Sequence, residues 1–192
     1  MSKATIYINL ILIVIIIILI SWNIIDNNSN NFPIYIDNKK PTYRSQHTIT
    51  LVYDSLGKLR YKLVALDVQY YSKNKISWFT QPLLTIYDKN IKQTWLIRAD
   101  KAKITDNHML YLYGGVEVNS LITITQLKKI TTHKAQVNLL TQGISSNDTI
   151  TLYGINFISR SVKLRGNLQE KTLKLIDKVH TYYDMQAKTK NI

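Results

Sequence analysis

From Ala4 to Ile25 the chain carries no charged side chain, and its centre is an almost unbroken run of isoleucine and leucine between Ile6 and Ile20. About 20 such residues span a ~30 Å hydrocarbon layer as a helix. Helix is the economical choice there, because lipid offers the backbone no hydrogen-bond partners. The sequence therefore predicts a single transmembrane helix over 6–25, with Trp22 at the interface and Asp26 closing it. Lys3 and the α-amino group precede the span, whereas Asp26 and a run of asparagines follow it. By the positive-inside rule, residues 1–5 form a cytoplasmic tail and everything beyond the span lies on the far side. A cleaved signal peptide is the competing reading. It fits less well, because Ser21 to Ser29 offers no small-x-small cleavage site and Trp22 stands in the way.

The remainder of the 192 residues leaves room for one domain of ordinary size. Residues 26–41 read as a polar spacer, 42–185 as the folded domain, and 186–192 as a disordered tail. There is no cysteine, which excludes disulfide frameworks, thiolate nucleophiles and cysteine-held metals. The formal charge of +13 has two readings: a polyanionic partner, or drift toward Lys, Asn and Ile, whose codons are AT-rich. With no dense basic block and no nucleic-acid motif, nucleic acid is not an expected partner.

Beyond the spacer the pattern has a period of two, the mark of half-buried strands. Leu59, Tyr61, Leu63 and Ala65 share one face, and similar stretches recur at 48–53, 83–87, 94–99, 109–113, 115–119, 135–140, 149–153 and 162–165. Turn residues punctuate them, as in Asp54 to Gly57 and Ser145 to Asp148. Short strands at this spacing predict an all-β sandwich, roll or barrel. One repeat stands out: Leu110 to Gly114, Ile150 to Gly154 and Val162 to Gly166 all read apolar-x-Leu-x-Gly. The first two follow Lys101-Ala-Lys-Ile104 and Lys134-Ala-Gln-Val137. Each unit reads as strand, turn, strand, then a corner glycine (Gly114, Gly154, Gly166) leading to the next layer. Stacked hairpins of this kind give an extended, open β-structure whose edge strands invite docking. The stretch from Leu173 to Tyr183 fits a helical stripe or one strand face; its β-branched and aromatic content favours a single terminal edge strand.

No catalytic set emerges. His47, His108, His133 and His180 are scattered without acids or metal spacing, so neither a metal site nor an enzyme is expected. Trp78-Phe79 and Trp95 are a candidate ligand platform, with core or groove wall as the plainer reading. Apolar alternation suits a lipid-holding interior as well as a filled core.

The stretches Pro41 to Thr48, Ser77 to Pro82, Ala99 to Ala102, Met109 to Gly114, Val116 to Asn119, Thr149 to Gly154 and Arg165 to Leu168 closely resemble the LptC family of Gram-negative lipopolysaccharide export proteins. The resemblance runs from Met1 to about Lys188. It implies a twisted, open β-jellyroll of the OstA-like kind, held in the inner membrane by one helix with its domain in the periplasm. It implies a non-enzymatic, cofactor-free role: receiving lipopolysaccharide from the LptB/LptF/LptG extractor and passing it to LptA. On that resemblance Thr48, Phe79, Leu63, Leu112 and Leu152 are candidate lipid-groove residues. The C-terminal edge, with Leu173, Leu175, Val179 and Tyr183, is expected to pair with LptA. The N-terminal edge, with Thr48 and Leu51, is expected to pair with LptF, and the helix to lie among LptF and LptG. An envelope adaptor that uses its edges for protein contacts alone is the alternative.

Overall fold

The computed structural model describes residues 40–123 and 125–184. The expected cytoplasmic tail, membrane span, most of the spacer and the C-terminal tail lie outside these residues. The described part is all-β, with fourteen strands joined in one antiparallel network. In chain order they are β1 (Tyr43–Tyr53), β2 (Leu59–Tyr71), β3 (Ile76–Thr80), β4 (Leu83–Tyr87), β5 (Gln93–Arg98), β6 (Lys101–Ile104) and β7 (Met109–Ser120). They continue as β8 (Leu127–Asn138), β9 (Gly143–Ser146), β10 (Ile150–Gly154), β11 (Phe157–Ser161), β12 (Lys163–Asn167), β13 (Thr172–Ile176) and β14 (His180–Tyr183).

The long strands β2, β7 and β8 organise the network, because each contributes to two layers, and β1 pairs along β2. The first part of β2 (61–64) pairs with β4, while its second part (67–71) pairs with β3. Residues 110–113 of β7 pair with β6 and 117–120 with β5. In β8, residues 127–132 pair with β10 and 136–137 with β9. One layer therefore runs β2, β4, β5, β7, β8, β10, β11, β14. The other runs β2, β3, β6, β7, β8, β9, β12, β13. Pairing between the long strands is interrupted where they pass between layers, at His47 and Leu66 between β1 and β2 and at Gly114, Gly115 and His133 between β7 and β8.

The bend in β7 shows what such a passage requires. Its register against β8 slips between Tyr113 and Val116, a bulge that turns the strand. Gly114 sits there at φ +72°, and a Cβ would lie 2.3 Å from Oδ2 of Asp100. Only glycine meets both demands.

The face that each layer turns toward the other is an apolar ladder. In the first layer Leu63, Leu84, Ile97, Val118, Ile130 and Leu152 stand opposite one another in successive strands. In the second, Val68, Phe79, Ala102, Leu112 and Ala135 do the same. All are buried and belong to one continuous core. At about 25 cal/mol per Å² of apolar surface removed from water, this burial is the main stabilising term in a domain without disulfides.

Several boundaries differ from the sequence pattern. β1 begins at Tyr43, and β8 begins at Leu127 rather than near residue 135, because its first half is paired despite the polar run Lys128 to His133. Lys101 to Ile104 does pair with Leu110 to Tyr113. The second repeat differs: Ile150 to Gly154 pairs with the first half of β8, not with Lys134 to Val137. The stretch from Leu173 to Tyr183 is two strands, not one. β13 pairs with β12 in the second layer, and β14 with β11 in the first. Asp177 and Lys178, at φ +65° and +48°, make the crossing between them.

Candidate functional site

Among the described residues, three strands have only one paired side: β1 against β2, β13 against β12, and β14 against β11. A closed barrel has no such edges, so the structure is open, as expected from the stacked hairpins. β1 lies at one end of the strand order, and β13 and β14 at the other. The apolar ladders lie between them, from β2 to β10 in the first layer and from β2 to β8 in the second.

The sequence-derived groove residues fall on that interior. Leu63 and Leu152 stand on the first-layer ladder, Phe79 and Leu112 on the second. Thr48 is paired with Ala65 and shares its inward face. Its Oγ1 is buried without a hydrogen-bond partner, which costs about 1–3 kcal/mol in an apolar setting. Toward β14 the interior becomes hydroxylic. Ser159 and Thr181 share a hydrogen bond of 2.8 Å, and Ser161 donates to the carbonyl of Ile176 at 2.8 Å.

The interior is filled, and two hydrogen bonds close its mouth, where strand ends of one layer meet turns of the other. The indole N–H of Trp95 in β5 donates to the carbonyl of Leu168, beyond β12, at 2.9 Å. Arg60, near the start of β2, donates to the carbonyl of Leu140. A cleft of about 660 Å³ lies outside this closure, between Lys58, Arg60, Asp88 and Lys89 on one rim and Gln142, Leu168 and Lys171 on the other.

The docking candidates occupy distinct places. Leu51 is opposite Lys62 and 46% exposed on β1. Leu173 and Leu175 are partly buried against the core from β13. Tyr183 is 72% exposed on β14, its ring 6.3 Å from that of Phe157. Val179 precedes β14 rather than lying in it. It is 47% exposed there.

The three glycines serve different ends. Gly114 is a bend. Gly154 closes β10, where a Cβ would lie 2.0–2.5 Å from the ring of Phe157. Gly166 is inside β12, between Ile144 and Leu173, and a Cβ would meet the carbonyl oxygen of Thr172 at 2.4 Å. The expected corner at Gly166 is thus a close strand contact instead. Trp78 and Phe79 also separate: adjacent residues in a strand face opposite ways, so Phe79 enters the core while Trp78 is 37% exposed on the outside. Trp95 is core. Pattern reading did not single out Arg60 or Leu168, whose partners are 80 and 73 residues away.

The open, two-layered β-jellyroll with free end strands defines a structural class. The solved structure of LptH, described as the LptA-homologous periplasmic component of the lipopolysaccharide transport device of Pseudomonas aeruginosa, shares it with a TM-score of 0.51. The match covers 72% of this chain and 96% of that one, at 7% identity, so the fold alone is shared. Sequence narrows the class. The chain belongs to the LptC-related lipopolysaccharide-assembly family, whose model matches residues 10–184. It is 47% identical to the lipopolysaccharide export system protein LptC of Escherichia coli K12, over 98% of both chains. It is 32% identical to the protein of that name in Haemophilus influenzae, over 76% of this chain and 78% of that one.

Proposed function

We propose that this protein is a non-enzymatic relay for lipopolysaccharide, held in the inner membrane by 6–25 with its N-terminus cytoplasmic and its β-domain periplasmic. It receives the lipid from the LptB/LptF/LptG extractor and passes it to LptA. The observation that carries this reading is the pair of inward apolar ladders, from β2 to β10 in one layer and from β2 to β8 in the other, within a network whose end strands are free. Acyl chains need an unbroken apolar path, and an edge strand accepts a neighbour by strand addition. In this reading β1 pairs with the jellyroll of LptF, and β13 or β14 with LptA. Thr48, Leu63, Phe79, Leu112 and Leu152 touch the chains. The closed mouth then requires the Trp95–Leu168 contact to open as lipid enters.

The filled interior favours a second reading: an envelope adaptor that uses its edges for protein contacts and never admits lipid. A photo-crosslinking amino acid in place of Phe79, in the reconstituted transporter, separates the two. Glycolipid adducts that form only with ATP turnover are expected of the relay. An interior free of adducts at Phe79, Leu112 and Leu152, with edge crosslinks to partner proteins intact, would leave the adaptor.

A further inference from the structure

The outward face of the second layer carries a different chemistry from the interior. Across it, Trp78 stands opposite Lys103, Lys103 opposite Tyr111, and Tyr111 opposite Gln136. In the adjacent row Thr80 is opposite Lys101, Lys101 opposite Tyr113, and Tyr113 opposite Lys134. The same face continues to Arg165 and Lys174. Basic and aromatic side chains thus alternate along both rows. Lys103 Nζ lies 4.7 Å from the ring centre of Tyr111 and 5.8 Å from that of Trp78. The rings of Trp78 and Tyr113 are 5.9 Å apart and tilted by 31°.

Two adjoining hollows open on this face, of about 490 and 550 Å³, and Tyr113 lines both. The carboxylates bordering them are Asp67 and Asp148. Asp67 is taken by Arg44 at 2.7 Å, so Lys101, Lys103 and Lys134 leave the face basic. Polar groups suited to hydroxyls surround the rings: Gln69 and Thr80 in one hollow, Gln136 and Asn147 in the other.

We propose that this face binds an anionic saccharide chain. Sugar rings would lie on Trp78 and Tyr113, with their acidic groups on Lys101, Lys103 and Lys134. Three features select that occupant. The net charge of the face calls for an anion. The rings of Trp78 and Tyr113 line one hollow beside each other, 5.9 Å apart, as sugar-stacking aromatics do. The hollows are rimmed by amide and hydroxyl groups, which hydrogen-bond a polyol. This site lies outside the apolar interior, so it stands or falls independently of the lipid relay.

The test is titration of the full chain, in neutral detergent micelles, with a short oligogalacturonate. Maltooligosaccharide of equal length, phosphatidylglycerol vesicles and oligothymidylate serve as comparisons. The charged sugar is expected to bind, to weaken with added salt, and to bind at least about ten-fold tighter than the neutral one. Trp78→Ala and Lys103→Gln should each lower that affinity about ten-fold without shifting thermal unfolding, whereas Lys62→Gln on the other layer should not. No binding, equal binding of neutral and charged sugars, or unchanged affinity in both variants would overturn the proposal. So would tighter binding of the vesicles or of oligothymidylate.

Discussion

The indole N–H of Trp95 and the carbonyl of Leu168, 73 residues apart, meet at 2.9 Å and tie a strand of one layer to a turn of the other. Both residues are almost wholly buried, so neither group has water as a substitute partner. Trp95→Phe keeps an aromatic ring but leaves the Leu168 carbonyl unpaired. It should cost about 1–3 kcal/mol in urea unfolding. Faster hydrogen exchange confined to the turns around Gln142 and Leu168 would mark the loosened mouth.

Thr48 offers the opposite case. Its Oγ1 is buried and unpaired, so the near-isosteric Thr48→Val should stabilise the domain by roughly 1 kcal/mol. A stability loss on denaturant unfolding would show that the hydroxyl has a partner in solution.

Gly154 and Gly166 differ in what a methyl group would strike. At Gly154 it meets the side chain of Phe157, which can move but also stands beside the ring of Tyr183 in β14. Gly154→Ala should therefore cost about 1–3 kcal/mol and loosen β14 from β11, visible as faster hydrogen exchange in β14. Gly154→Arg should go further and reduce recovery of assembled complexes. At Gly166 the obstacle is the backbone carbonyl of Thr172, which cannot turn aside. Gly166→Ala should reach or exceed the ~3 kcal/mol upper range of overpacking, measured by thermal unfolding.

Acid should weaken the domain. The Arg44 side chain, then that of Gln69, holds the Asp67 carboxyl below its ordinary range, and Arg98 does the same for Glu117. The backbone N–H of Lys92 lowers Asp88. Each carboxylate is more acidic folded than unfolded, so the unfolded chain binds more protons through the window between the two values. The stabilisation is complete above the ordinary carboxylate range, about pH 4, and is lost as pH falls through the folded values. Arg44→Gln should flatten the acid limb of a stability–pH curve; an unchanged limb would remove Asp67 from the account.

Legibility in the sequence followed the range of each interaction. Strand parity is local, so Leu63 was readable from its spacing as sharing a face with Leu59, Tyr61 and Ala65, whereas Leu112 and Leu152 were marked by the repeat and the family resemblance. The outer basic–aromatic rows were half visible in Lys101-x-Lys103 and Tyr111-x-Tyr113. Their alignment with Trp78 required the pairing of β3, β6 and β7. The split of the C-terminal stretch into β13 and β14 was hidden, because a crossing at Asp177 and Lys178 has no glycine or proline to announce it.

The amino-acid order by itself determined an apolar N-terminal span, a β-domain without cysteine chemistry, and which side chains of a strand share a face. These follow from periodicity and burial, which neighbouring residues define. The tertiary structure alone decided that the long strands serve two layers, that Trp95 and Leu168 close the mouth, and that Gly166 is a contact rather than a corner. Those depend on which distant strands pair, and pairing is settled by the collective burial of both ladders, not by any one segment.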